Sequence, residues 1–205
     1  ISATRNADTF NITTSPAAGF LAISPLDGND TINATLQDGT LRLDYMWYEP
    51  ISGIVANLAS GVVSNDGFGN QDQLNLTLDG GRLEIRASNL SDNIVGSSAD
   101  ERFILGAGND VLNAADGWDT LRFDRSRVEG GVVVDLLAGT ATGVWDGMNF
   151  NHTISGIEEV RGSDNGDDTI RGSAANEYFE GNNGNDLLDG RSGDDELRGY
   201  DGNDT

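Results

Sequence analysis

Residues 163–205 read SDNGDDTIR, GSAANEYFE, GNNGNDLLD, GRSGDDELR and GYDGNDT, a nine-residue repeat whose last copy is cut short. The sixth position is acidic in every copy: Asp168, Glu177, Asp186, Asp195 and Asp204. The eighth position is apolar: Ile170, Phe179, Leu188 and Leu197. A fixed period predicts a solenoid, because a repeat this short must bury its apolar residue against its neighbours.

The same spacing covers residues 87–122. The sixth positions there are Asp92, Glu101, Asp110 and Asp119, and the eighth are Ile94, Phe103, Leu112 and Leu121. Weaker copies lie at 3–11, 25–33 and 34–42, with Gly39 in place of the acid in the last. Residues 28–44 match 108–124, and residues 89–110 match 165–186, so a longer unit is duplicated.

The duplication predicts two modules. The first, 1–104, contains degenerate repeats (3–42), a β-strand spacer (43–86) and the start of a nonamer array (87–104). The second, 105–205, contains nonamers (105–122), a spacer (123–162) and the array 163–205. Both spacers include runs typical of strands, and no segment has the pattern of a helix.

Each nonamer has one inward-facing apolar residue in a short strand, preceded by a turn rich in Gly, Asn and Asp. Two such repeats close one coil, and successive coils then pair their strands in parallel, about 4.8 Å apart. The expected fold class is therefore all-β, a parallel β-solenoid of nonapeptide repeats with β-strand spacers.

Stacked coils also place one acidic side chain above the next, and such a column of carboxylates repels itself. A Ca²⁺ ion, which takes about six to eight oxygen ligands, offsets that repulsion. The predicted ligands of several Ca²⁺ ions are the carboxylates of Asp30, Asp92, Asp110, Asp119, Asp168, Asp186, Asp195 and Asp204, with turn carbonyls at Gly28, Gly108, Gly117, Gly166, Gly184, Gly193 and Gly202. The turns of Glu101 and Glu177 have Ala at the fourth position and are expected to bind calcium weakly.

The composition supports a cation as the stabilising element. The 205 residues carry a formal net charge of −22 and contain no Cys, so neither disulfides nor thiolate metal sites are available. The acidic balance excludes nucleic-acid binding by counterion release. No apolar stretch approaches the roughly 18 residues of a membrane span, so membrane insertion is not expected.

The Gly-x-Gly-x-Asp-x-apolar pattern of 181–205 resembles the RTX, or hemolysin-type, calcium-binding repeats. Residues 132–143 and 154–163 also resemble segments between RTX arrays in large secreted bacterial proteins. The resemblance implies a right-handed parallel β-roll, Ca²⁺ held by the sixth-position Asp and turn carbonyls, and export of the unfolded chain by a type I system. We expect a secreted or cell-surface segment of a larger protein, since the sequence starts within a repeat and stops before an eighth position.

No catalytic motif is recognised, and the chain is not expected to be an enzyme. His152 is the only histidine, which excludes a histidine cluster, and its Asn-rich neighbourhood predicts an exposed loop position. Glu158 and Glu159 are interpreted as charged surface, because adjacent strand residues face opposite sides.

Two alternative functions remain. Tyr45, Trp47 and Tyr48, with Trp118 and Trp145, could stack on a surface glycan in an adhesin or polysaccharide-binding module, or could simply pack the core. The chain could also be the noncatalytic C-terminal part of a secreted protease or polysaccharide lyase. Partners besides calcium would be a glycan or neighbouring repeats of the same polypeptide.

Overall fold

The computed structural model describes residues 1–14, 19–46 and 49–205. Its regular elements are twenty β-strands, and no helix occurs in the described residues. No helix there is long and apolar enough to cross a membrane. The prediction of an all-β fold is confirmed.

The strands form two sheets. The larger sheet contains, in spatial order, β1 (Thr9–Thr14), β3 (Thr31–Leu36), β7 (Asp72–Leu78), β6 (Val62–Asn65), β5 (Val55–Asn57), β9 (Asn93–Val95), β11 (Val111–Asn113), β15 (Met148–Ser155), β14 (Thr140–Trp145), β13 (Val133–Asp135), β17 (Thr169–Arg171) and β19 (Leu187–Asp189). The smaller sheet contains β2 (Phe20–Ile23), β4 (Thr40–Asp44), β8 (Arg82–Arg86), β10 (Glu101–Ile104), β12 (Thr120–Arg122), β16 (Glu159–Arg161), β18 (Tyr178–Asn183) and β20 (Glu196–Asp201).

Each strand of the smaller sheet follows one strand of the larger sheet, so that one pair makes one coil. Coils stack in parallel with the eighth positions in register, as Ile94 pairs with Leu112 and Phe103 with Leu121. The side chains of Phe103 and Phe179 are fully buried between the sheets, as expected for inward-facing residues. Leu197, on β20 at the edge of the smaller sheet, is 41% exposed.

The larger sheet has four additional strands, which form two antiparallel hairpins, β5–β6 and β13–β14. Strand β6 pairs antiparallel with β7 while β5 pairs parallel with β9, and β14 and β13 pair in the same way with β15 and β17. The hairpins lie within the predicted spacers and confirm their strand character. The remainder of each spacer, β7–β8 and β15–β16, forms an ordinary coil of the roll.

Candidate metal sites in the turns

The acidic side chains lie where the chain enters a strand, and they form ladders along both edges of the roll. In six of the turns, the main-chain N–H of the acid donates to the carboxylate of the next coil, at 2.8–3.0 Å. In this way Asp168 donates to Asp186, and Asp186 to Asp204. One carboxylate oxygen is thus used by the backbone, and the fate of the second oxygen distinguishes two kinds of turn.

In the first kind, which we call hydroxyl turns, a Ser or Thr four or five residues before the acid donates its N–H to the carboxylate at 2.6–3.0 Å, and its hydroxyl also donates. The pairs are Thr4 with Asp8, Ser88 with Asp92, Ser97 with Glu101, Ser163 with Asp168 and Ser173 with Glu177. Asp92, for example, accepts from Ser88 on both oxygens. Gly166, in the turn of Asp168, is not among the residues with positive φ.

In the second kind, which we call left-handed turns, the residue four positions before the acid has a φ of 61–88°. These residues are Leu26, Gly106, Ala115, Asn182, Arg191 and Tyr200, and the acids are Asp30, Asp110, Asp119, Asp186, Asp195 and Asp204. Two residues before each acid stands a predicted glycine, Gly28, Gly108, Gly117, Gly184, Gly193 or Gly202, with φ of 107–147°. These six glycines therefore adopt positive φ, whereas Gly166 does not.

The left-handed turns leave buried carboxylate oxygens without a partner. Oδ2 of Asp30, Asp110, Asp119 and Asp186 has no hydrogen-bond partner and no solvent contact. An unpaired buried anionic oxygen is costly, so native structures normally supply a donor or a cation. Glu177 Oε2 is likewise unpaired, although its turn belongs to the hydroxyl class.

A carbonyl oxygen of the following coil borders the same space. A Cβ atom on Gly181 would lie 2.2 Å from Asp186 Oδ2 and 3.0 Å from the Gly199 carbonyl oxygen. A Cβ atom on Gly172 would lie 2.6 Å from Glu177 Oε2 and 2.7 Å from the Gly190 carbonyl oxygen. The absence of a side chain at the first repeat position therefore leaves a small space bordered by oxygens of two coils.

The donor set fits a hard cation. Calcium–oxygen bonds of about 2.3–2.6 Å and a flexible coordination number suit carboxylates combined with carbonyls. In the described part of the chain, no group of three or more His, Cys, Asp or Glu side chains is placed to hold a metal ion. Most ligands of a bound ion would therefore be backbone carbonyls, with the carboxylate supplying the charge.

Burial raises the pKa of several ladder acids. The pKa of Asp30 rises to about 6, of Asp119 and Asp168 to about 7, and of Asp92 to about 8, with loss of solvation as the largest cause. Neighbouring carboxylates add to the increase; for Asp92 the neighbour is Asp110. The fold thus disfavours the charged acids unless a cation accompanies them.

The prediction of an exposed loop position for His152 is wrong. The residue lies in β15 with a fully buried side chain, and its ring stacks on Phe150 with centroids 4.4 Å apart. Its Nδ1 accepts the main-chain N–H of Asp110 at 3.3 Å, so the imidazole takes the ladder place of an acid. The same Nδ1 lies 3.1 Å from Asp110 Oδ2, but a nitrogen that accepts an N–H has no proton for that oxygen.

Two ladder acids were missed from the sequence. Asp72 accepts the N–H of Asp30 at 3.0 Å, and the Tyr45 hydroxyl donates to its other oxygen at 3.3 Å. Glu158 accepts the N–H of Asp119 at 3.0 Å and is partly buried, so its interpretation as charged surface is wrong. The missed signal is an acid or His two residues before an inward apolar residue, as in Glu158 and Val160.

The aromatic group does not form one exposed platform in the described residues. Tyr45 and Trp145 are buried, Trp118 is 41% exposed, and Trp47 and Tyr48 lie outside the described residues. Buried rings cannot stack on a glycan, so the packing interpretation holds for Tyr45 and Trp145.

Comparison with known families agrees with this geometry. Four copies of the RTX calcium-binding nonapeptide repeat match the chain, at residues 95–125, 163–188 and 171–205. No curated protein matches the chain. The matched ranges contain five of the six left-handed turns, while the turn of Asp30 has the same geometry outside them. The chain therefore carries RTX calcium-binding nonapeptide repeats over residues 95–125 and 163–205.

Proposed function

We propose that this segment is a structural, noncatalytic module that folds when Ca²⁺ binds, after export from a bacterial cell in the unfolded state. The observation that carries the proposal is the set of unpaired buried Oδ2 atoms in the left-handed turns. A site that forms only on folding makes the free energy of metal binding available to folding.

The charge supports coupling between calcium and folding. At a net charge of −22 the calcium-free chain repels itself, which favours an expanded state suited to passage through a secretion channel. Extracellular calcium modules have dissociation constants of about 10⁻⁴–10⁻³ M. A module in that range would stay unfolded inside the cell and fold outside it. In a longer polypeptide, such as a secreted protease or lyase, it would fold beside a separate catalytic domain.

The test is a calcium titration of the chain after EGTA treatment, followed by circular dichroism and calorimetry. We expect a cooperative gain of β signal and heat near 10⁻⁴–10⁻³ M calcium, with a much weaker response to magnesium, whose strict octahedral geometry suits these turns poorly. The matched control replaces the Asp of each of the six left-handed turns by Asn. A wild-type chain that is fully folded in EGTA, or a control that titrates like wild type, would refute the proposal.

A second candidate function, saccharide binding, has one supporting observation at Trp118. The turn at 156–158 has three residues, whereas the turns at 114–119 and 172–177 in adjoining coils have six. The short turn lies between Trp118 on one coil and Asn176 and Tyr178 on another. These three residues line a cavity of about 630 Å³, together with Glu196. An aromatic ring facing polar side chains is the combination that binds sugar rings.

Glycan-array binding of the calcium-saturated chain tests this candidate. We expect Trp118→Ala to abolish binding and Phe20→Ala, at another exposed ring, to leave it unchanged. Binding that survives Trp118→Ala, or no binding to any glycan, would contradict it.

A further inference from the structure

The outer face of the smaller sheet concentrates positive charge in an otherwise acidic chain. Arg82, Arg102 and Arg122 lie on the neighbouring strands β8, β10 and β12. In the sheet register Arg102 lies directly opposite Glu84, which would be its natural partner. Glu84 is instead used by Arg42 on one oxygen and by Arg122, at 2.9 Å, on the other. Arg102 is therefore left without a carboxylate.

Arg102 and Arg82 line one cavity of about 480 Å³, together with Thr40. Neither guanidinium has an ion pair or hydrogen bond within the described ranges, and Nε of Arg102 is buried without a partner. Two acids also line this cavity. Asp38 accepts the main-chain N–H of Gly39 at 2.7 Å, and Asp100 accepts that of Trp118 at 2.9 Å.

The unpaired state of these arginines is energetically unfavourable. Burial is the largest cause that lowers the pKa of Arg102, and the positive charges of Arg82, Arg122 and Arg161 lower it further. Leaving a buried charged donor unsatisfied costs at least as much as a lost hydrogen bond. With 34 acids and 12 basic residues in the chain, two adjacent unpaired arginines are not explained by a shortage of carboxylates.

The cavity also lies where the acid ladder of the smaller sheet is interrupted. The two glycines Gly39 and Gly81 precede β4 and β8 where later coils have an acid, and both line the cavity. Arg82 thus follows a glycine in place of the ladder acid, whereas Arg102 follows the ladder acid Glu101 in the next coil.

We propose that Arg82 and Arg102 form a binding site for an oxyanion, a carboxylate or phosphate carried by a ligand. The planar guanidinium presents paired N–H donors that match either group. Thr40 lines the same cavity and carries a hydroxyl, which is a further hydrogen-bond donor. The site requires the folded roll but no calcium ligand, so it goes beyond the proposed calcium function.

Isothermal calorimetry on the calcium-saturated chain tests the site, with glucose 6-phosphate, glucuronate and glucose as probes. We expect at least one anionic sugar to bind and glucose not to bind. Arg102→Gln and Arg82→Gln should each weaken binding about tenfold or more. Arg171→Gln, on β17 of the other sheet, removes the same charge and should leave the affinity unchanged.

The two anionic probes identify the source of the oxyanion. Binding of glucose 6-phosphate alone indicates a phosphate site, binding of glucuronate alone indicates a carboxylate site, and both support the shared chemistry. Equal binding of glucose, no binding of either anion, or an equal loss in Arg171→Gln overturns the proposal. Because Arg82 is partly exposed, its variant should fold even if Arg102→Gln does not.

Discussion

Hydroxyl turns and left-handed turns present the same acidic side chain at the same edge of the roll, but they satisfy it differently. In the turn of Asp168, Ser163 donates to both carboxylate oxygens. In the next turn of the same ladder, Asn182 has a φ of 74° and Asp186 Oδ2 is buried without a donor. The turn of Asp168 has a Ser that donates to the carboxylate, whereas the turn of Asp186 has a residue with positive φ and no such donor.

The order of the two kinds of turn is the same in each array. Hydroxyl turns come first, at Asp92 and Glu101 and again at Asp168 and Glu177, and left-handed turns follow. The first coil of each array lies against an inserted hairpin, where the N–H groups of Ile54 and Val132 donate to the acids. We therefore propose that hydroxyl turns begin each ladder and that the left-handed turns after them supply the calcium sites.

The largest effect is expected from Gly184→Ala. Gly184 has a φ of 144°, and a Cβ atom there would lie 2.3 Å from the Gly166 carbonyl oxygen. Backbone strain and this clash should destabilise the C-terminal coils by about 2–4 kcal/mol even in saturating calcium. The matched control is Ala175→Gly, at the same position of a hydroxyl turn, which should change the calcium-saturated unfolding free energy by less than about 1 kcal/mol. If chemical denaturation showed similar losses of unfolding free energy for Gly184→Ala and Ala175→Gly, the distinction between the two kinds of turn would be wrong.

Asp186→Asn should act mainly on calcium affinity. The substitution keeps the shape of the side chain but removes the charge beside the Gly199 carbonyl oxygen. We expect the calcium midpoint of the array 163–205 to rise about tenfold, with one or two fewer ions by calorimetry and little change at saturation.

Because each coil contacts only its neighbours, Asp186→Asn should leave the array 87–122 unaffected. Hydrogen exchange of the two arrays measures this directly. Equal loss of protection in both arrays would show that they form one cooperative unit, joined through the hairpin β13–β14.

The sequence predicted the repeat geometry because its signal is local and periodic. An apolar residue at each eighth position sufficed to place Phe103 and Phe179 inside the roll. The two kinds of turn were not recognised, although a Ser at position 97 or 173 was visible. Their difference depends on backbone direction at one residue, where Ala115 and Arg191 adopt positive φ without being glycine.

Other features depended on long-range register, which the sequence does not show directly. Asp110 and His152 are 42 residues apart but adjacent in the ladder, because the hairpin β13–β14 is placed outside the coil. Both hairpins are inserted in the larger sheet only. Their position depends on which strands they pair with, and these partners are known only from the stacked coils.

The pH dependence of the calcium-free chain tests the cost of burying the ladder carboxylates. The pKa of Asp30 is raised to about 6 and that of Asp168 to about 7, above an unfolded value of about 4. The folded state therefore binds protons more tightly, so its stability is greatest below about pH 4 and falls as the pH rises through about 6 and 7. Circular dichroism of the chain in EGTA from pH 8 to pH 4 measures the effect as the β signal gained on acidification. High NaCl controls for general repulsion, and a stability that increases with pH would contradict the assignment.

The smallest effect is expected from Ser173→Ala in a hydroxyl turn. The substitution removes the hydroxyl that donates to Glu177 Oε1 but retains the main-chain N–H, which donates to the same oxygen at 2.9 Å. Loss of one hydrogen bond to a partly satisfied carboxylate should cost about 1 kcal/mol. Because the hydroxyl and the N–H of Ser173 both donate to Oε1, the substitution leaves the unpaired Oε2 as it is, and the calcium midpoint should stay nearly unchanged, in contrast to Asp186→Asn. Ser155→Ala, at an exposed hydroxyl on β15, serves as the control and should cost less. A tenfold increase in the calcium midpoint for Ser173→Ala would mean that the hydroxyl belongs to the calcium site, and the two kinds of turn would then share one function.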